Sequence, residues 1–198
     1  MPAERADIEY TRNLRVLTIW QPWASLIIHG PKRIENRARK PWSRLHGQLI
    51  GIHAGARIDT DTESDYATRY QLPAPLPHGA LLGVARIVGT VEHSNDPWFL
   101  GPVGIKLADV IAFPSAVPMR GAQSYWSPIR RLNDVQREYW HERAAIRQHH
   151  GDMTPELASW WALFDVLRPR RTAQRCNAAG TRSFGTLPSR SATSHSRG

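Results

Sequence analysis

Between residues 30 and 37 the chain reads GPKRIENR, which sets a lysine, a glutamate and two arginines within reach of one another. Glu35 stands three positions after Lys32 and two before Arg37, so on a strand Glu35 and Arg37 share one face. A carboxylate between two cations fixes their geometry and leaves N–H donors for a carbonyl-bearing or anionic ligand. Trp20 and Trp23 come just before this cluster, and flat indoles offer stacking surfaces for a base. Arg33, Arg39, Lys40 and Arg44 extend the basic run. Residues 32–44 hold six cations against the single acid Glu35, a local excess of +5. Such a run suits a surface that touches a phosphate backbone. The same residues also suit a plainer arrangement, in which the tryptophans are core and the charges form a solvated ion-pair surface of little energetic weight.

Elements must be found that bring these residues together. Residues 14–20 (LRVLTIW) are β-branched and apolar and read as a strand. Pro22 suits the first turn of a helix, with 23–29 as its body, and Gly30-Pro31 stops it. Residues 32–37 re-enter an extended segment, and 47–54 (GQLIGIHA) form a further strand. A short helix is expected over 60–70, followed by the turn material of 72–77. Residues 79–91 (GALLGVARIVGTV) give the longest β signal, with Gly83 and Gly89 marking bulges or corners. A loop at Asp96-Pro97 carries Trp98 and Phe99, a strand follows over 103–113, and 114–126 is broken by prolines. After Pro128 the pattern turns helical. Asn133 caps a helix to about 150 with Val135, Tyr139 and Ile146 on one face, and Thr154-Pro155-Glu156 opens a second that carries Trp160, Trp161 and Phe164. The expected fold is α+β, mainly β: a small curled β-barrel with rim helices and a C-terminal helical extension.

Bulk composition narrows the class of function. The 198 residues suit one domain with an appendage. The divisions expected are a flexible leader over 1–13, a main domain over 14–128, the helical extension over 129–167 and an Arg-rich disordered tail over 168–198. The net charge of +9 lies mostly in that tail, whose seven arginines face no acid and leave +2 for residues 1–167. The polar, acid-bearing N-terminus is no signal peptide, and the longest apolar run (residues 23–28) is too short to span a bilayer. The single cysteine, Cys176, permits no internal disulfide and fits a reducing compartment, so a cytoplasmic location is expected. No HExxH, paired CxxC, Walker or GxSxG pattern is present, and the adjacent His149-His150 lacks carboxylates at ligand spacing. No metal and no cofactor are expected.

Gly30-Pro-Lys32-Arg-Ile-Glu35-Asn-Arg37 resembles the GxKxxExR pattern of ASCH domains, small modules related to the PUA fold. LTIWQPWASLIIHG at 17–30 resembles the family's first strand and helix. The segments at 47–55, 79–91, 96–109 and 118–126 resemble its later strands and closing half. The resemblance covers roughly 14–128 and leaves the helical extension and the tail outside it. It implies a PUA-like β-barrel with a cleft beside the first helix into which the motif side chains point, and binding of RNA or another nucleic acid. Some small members of the family are amidohydrolases on acylated cytidine, in which a threonine three residues after the motif lysine is the nucleophile. Here that position is Glu35, which cannot take the part of the alcohol in ordinary acyl transfer.

Three readings follow. In the first, the chain is a nucleic-acid (RNA above all) or nucleotide-binding module: Lys32 and Arg37 contact phosphate or a base carbonyl, Glu35 orients them, Trp20 or Trp23 stacks, and Arg33, Arg39, Lys40 and Arg44 touch the backbone. In the second, it is a small hydrolase on a modified nucleoside or RNA, with Lys32 and Glu35 as its polar pair. In the third, residues 129–167 bind a protein partner. Trp98 is expected to plug the barrel, Arg120 to lie on the surface, and His53 to be a satisfied core residue.

Overall fold

The apolar, β-branched segments assemble one mixed sheet of six strands: β1 (Val16–Gln21), β2 (Ile34–Arg37), β3 (Leu49–Ile58), β4 (Ala80–Val91), β5 (Val103–Pro118) and β6 (Tyr125–Trp126). Their order is β2-β5-β4-β3-β1-β6, with β1 and β3 parallel and every other neighbouring pair antiparallel. The computed structural model describes residues 14–151 and 153–168. The expected leader over 1–13, and all of the expected tail except Arg168, lie outside the described residues.

The long pair β4 and β5 gives the sheet its curl. Their register shifts between Leu81 and Gly83, Val84 and Arg86, and Ile87 and Gly89, and each such bulge bends the strand and increases its twist. At Gly83 the two backbones come so close that an added Cβ would stand 2.3 Å from the Ile111 carbonyl oxygen, so only glycine fits. The class is α+β as expected, and the barrel is a half-barrel whose sheet ends at β2 and β6. β5 runs on past Phe113, where the prolines had suggested a break. Pro114 falls in the stretch between Ala112 and Val117, where no residue is paired with β4, so its missing N–H costs the ladder nothing.

Two apolar layers cover the sheet. On one side α1 (Trp23–Ile28) buries Ala24, Ile27 and Ile28 against Ile19, Ile50, Ile52 and Ile105. On the other, α3 (Asp134–His150) and α4 (Pro155–Leu167) form a hairpin whose Trp140, Trp160, Leu163 and Phe164 share a core with Val16, Leu49, Leu81, Val84 and Val117. A smaller cluster joins α2 (Thr60–Arg69) to Leu26, Leu72 and Leu76. Both hairpin helices start at the expected caps. The Asn133 side chain and Gln136 form a reciprocal capping box, and Thr154 accepts from the Leu157 N–H with Pro155 in the first turn.

The face of α3 that packs is not the expected one. Val135 is 76% exposed, Tyr139 and Ile146 are exposed too, and Trp140 and Ala144 are buried in their place. Trp140 has more apolar surface to hide than either Val135 or Tyr139, and its indole N–H finds the Ser159 carbonyl at 2.9 Å. The hairpin is tied to the sheet by polar contacts as well. The Glu156 carboxylate accepts from the Leu49 N–H at 2.6 Å and from Arg86 at 3.0 Å, and Arg86 also donates to Asp109 at 2.7 Å. No described helix is long and apolar enough to cross a membrane.

Candidate functional site

The corner between α1 and β2 sets the position of Lys32. α1 ends when the N–H groups of Gly30 and Lys32 both reach the Leu26 carbonyl. Arg33 then turns back, its Nη1 donating to the carbonyls of Ile27, Gly30 and Lys32 at 2.9 to 3.2 Å. This nitrogen is therefore spent on the helix terminus, a natural place for a cation because unpaired carbonyls gather there. Beyond the corner, β2 pairs with β5, Glu35 opposite Ile105.

Lys32 is 2% exposed and donates to the Ile34 carbonyl and to Glu35 Oε2, the latter at 3.0 Å. Glu35 is 7% exposed, and its Oε1 lies 4.0 Å from Arg37 Nη1. The strand alternation that sequence spacing suggested thus holds: Glu35 and Arg37 face the same way, with Lys32 beneath them. An ammonium has three N–H donors and two of them are committed inside the protein.

These three side chains form the charged wall of a cavity of about 400 Å³. Trp20, Trp23, Tyr66 and Trp98 supply its aromatic wall, and Thr18, Asn36 and Asp59 also face it. The rings brace one another: Trp23 and Tyr66 centroids are 5.4 Å apart, and Tyr66 and Trp98 are 5.9 Å apart. Trp98 therefore lines the cleft, where the sequence had suggested a plug. The reason lies in how its loop is held. Asp96 accepts from the Trp98 N–H at 2.8 Å, while Asn36 donates to the Trp98 carbonyl and accepts from the Leu100 N–H at 2.8 and 2.9 Å. The loop is thus pinned to β2 through its backbone, leaving the indole to face inward. Asn36 sits inside the motif strand and carries no charge that would mark it in the sequence. Thr18, Asp59 and Tyr66 are set by the tertiary fold, and nothing in their own neighbourhoods marks them.

A second chamber of about 830 Å³ adjoins the first and shares Thr18, Trp20 and Arg37 with it. Arg57 and Arg120 line it, and Arg120 is exposed, as expected of a surface arginine. The Arg57 guanidinium lies 5.3 Å from the centroid of Trp20, an indole that is 49% exposed. A third chamber of about 320 Å³ shares Arg37 and Ser124 with the second and is lined by Arg39, Lys40, Trp42 and Tyr125. Lys40 pairs with Glu92, and Arg44 lies 4.5 Å over the 45% exposed Trp42. Of the expected site residues, Lys32, Glu35, Arg37, Trp20 and Trp23 meet in the first chamber. Arg39 and Lys40 line the third, Arg44 stands beside it, and Arg33 lines none of the three.

Two buried polar groups near the chambers lack a partner. His53 is buried and its Nε2 lies 2.9 Å from the Met119 carbonyl, so the ring donates there and Nδ1 keeps a lone pair with no donor. Burial is the main reason its pKa is lowered from 6.5; the Met119 contact opposes the shift and the charge of Arg131 adds to it. His53 is thus a core histidine satisfied on one side only. The Tyr125 hydroxyl, also unpartnered, is pushed up to about 12, chiefly by burial. It therefore stays a protonated donor at neutral pH. Among the described residues, no group of three or more His, Cys, Asp or Glu side chains is placed to hold a metal ion.

No protein-family model and no curated protein matches the chain. Among solved structures, the chain is similar to the crystal structure of a mutant of ZmASCH from Zymomonas mobilis. The two are 17% identical with a TM-score of 0.37, over 63% of this chain and 91% of that one.

Proposed function

We propose that the first chamber receives a nucleobase and that the chain is a nucleic-acid or nucleotide-binding module. The observation that carries this reading is the buried Lys32–Glu35 pair in a cavity with an aromatic wall. A buried ion pair is a poor device for stability, because desolvating the two charges costs about as much as their attraction returns. Its value here is chemical. Lys32 offers a donor beside the acceptor oxygens of Glu35, the pattern needed to meet the carbonyl and amino or imino groups along one edge of a base. Trp20, Trp23 and Trp98 give the ring something to lie against, and each stacked base contributes about 1–3 kcal/mol. A cytoplasmic location, suggested by the single cysteine, belongs to the same reading.

The test is calorimetric titration of the full chain with a panel of nucleoside monophosphates and short single-stranded oligonucleotides. Binding of at least one base is expected, weakened about tenfold or more by Glu35→Gln, since an acceptor to a charged partner is lost. Thermal melts without ligand must show that the variant is folded. Failure of every base to bind, or equal affinity of the wild type and a folded Glu35→Gln, would sink the reading. Release of product when acylated cytidine is added to the same protein would move it to hydrolysis.

A further inference from the structure

We infer that the second chamber holds the phosphate and the neighbouring nucleotide of a strand whose base fills the first chamber, so that the ligand is a single-stranded oligonucleotide. This rests on the base-binding reading of the first chamber and adds to it what lies next door. The two chambers are not separate pits: Thr18, Trp20 and Arg37 line both. A ligand leaving the first chamber past Trp20 enters the second directly.

Their chemistry differs in the way the two halves of a nucleotide differ. The first chamber sets Lys32 and Arg37 against Glu35 and Asp59, a balanced charge, behind an aromatic wall. The second has about twice the volume and is lined by Arg37, Arg57 and Arg120 with no carboxylate among its lining residues. Arg57 and Arg120 face no carboxylate within this chamber, and together with Arg37, whose Glu35 partner stays 4.0 Å away in the first chamber, they complement a phosphodiester, since planar guanidinium forks grip phosphate oxygens in pairs. Arg57 is steadied by its position over Trp20, the wall between the chambers.

Arg120 is held by an anchored turn. The Met119 N–H donates to the Gly79 carbonyl at 2.9 Å, and the Met119 carbonyl receives His53 Nε2. Next to it Gly121 lies flat on the imidazole, where an added Cβ would come within 2.7 Å of His53 Cε1. Arg37 then passes the path to the third chamber, lined by Arg39, where Arg44 over the exposed Trp42 repeats the pairing of cation with indole. A duplex cannot use this path, because its bases are stacked and paired and cannot reach an aromatic wall inside a cleft.

The experiment compares one base as its nucleoside, its dinucleoside monophosphate and its hexanucleotide, in ribo and deoxyribo forms, by titration against the full chain. Wild type, Arg120→Ala and Arg137→Ala are used, the last removing one exposed charge on the helical hairpin. The arginines of the tail are common to all three, so differences among the variants report on the chamber. The dinucleoside monophosphate is expected to bind about tenfold more tightly than the nucleoside, the return from one charge-assisted phosphate contact. Arg120→Ala should remove most of that gain while sparing the nucleoside, and should make the salt dependence of hexamer binding shallower by about 0.7 in log–log slope. Arg137→Ala should change neither. A gain with either sugar supports the inference, and the sugar that binds better identifies the strand. A nucleoside that binds but gains nothing from the added phosphate and chain overturns the inference alone, as does equal behaviour of Arg120→Ala and Arg137→Ala. Loss of all binding, the nucleoside included, overturns the base-binding reading and the inference with it.

Discussion

The eight tryptophans divide into two groups of four, one packed beneath the helical hairpin and one lining the chambers. Trp126, Trp140, Trp160 and Trp161 belong to the core beneath the helical hairpin. The first three are buried, and their indole N–H groups donate to Thr18 Oγ1, the Ser159 carbonyl and the Leu49 carbonyl. Trp20, Trp23, Trp98 and Trp42 line the chambers, are half-buried or exposed, and donate to no protein acceptor among the described residues. One residue type therefore does two jobs. Where the indole edge is paired and both faces are covered, the ring is holding the fold together. Where the indole edge is left unpaired and the ring stays partly exposed near Lys32, Glu35 and Arg37, with an arginine or other rings against it, the same residue type is proposed to serve as a contact surface.

If that division is right, substitutions on the two sides must separate stability from binding. The largest effect expected is for Trp160→Ala, which empties the centre of the hairpin core and should cost about 3–5 kcal/mol in denaturant melts. Trp98→Ala should cost far less stability while weakening base binding; a similar loss of stability for both would erase the distinction. Next comes Lys32→Ala, which leaves Glu35 buried without its nearest cation and should cost about 3 kcal/mol. An unchanged melt would mean that Glu35 reaches solvent and that the pair is not the buried reader proposed. Glu156→Gln should cost about 1–2 kcal/mol, because the Leu49 N–H keeps an acceptor and Arg86 loses an ionic one. Ligand affinity should not change, since Glu156 lines none of the three chambers.

The smallest effect is on pH dependence. Folding holds the His53 pKa below 6.5, so below that pH the unfolded chain takes up a proton that the folded chain resists. Stability should fall as the pH drops below 6.5 and stay level above it. His53→Gln, which keeps a donor for the Met119 carbonyl, should flatten part of the slope, the remainder belonging to His29, whose pKa burial also lowers. A slope unaffected by this substitution would show that His53 titrates alike in both states.

Much of the fold and the centre of the site were legible in the sequence, for reasons specific to each element. Asn133 and Thr154-Pro155 announce their helices because a cap is a local chemical event. Lys32, Glu35 and Arg37 were legible because one short strand carries two of them on a single face. Legibility ended where distant segments meet. Asp59 and Tyr66 reach the first chamber from the end of β3 and from α2, and Arg57 and Arg120 meet across the second from β3 and the turn after β5. The packed face of α3 was misjudged for a related reason. Valine, tyrosine and isoleucine at helical spacing looked like a core stripe, and only the sheet beneath shows that Trp140 and Ala144 occupy that face. The Trp98 loop misled because a backbone pinned by Asn36 leaves no trace in the spacing of its own residues.

The division of the tryptophans can be observed directly in the indole N–H resonances of the ¹⁵N-labelled full chain, titrated with a single-stranded hexanucleotide. The signals of Trp20, Trp23 and Trp98 are expected to shift together and saturably, with Trp42 following as the strand reaches the third chamber, while those of Trp140 and Trp160 stay in place. Shifts confined to the hairpin tryptophans, or no shift at Trp20, Trp23 and Trp98 while the oligonucleotide is bound, would contradict that division.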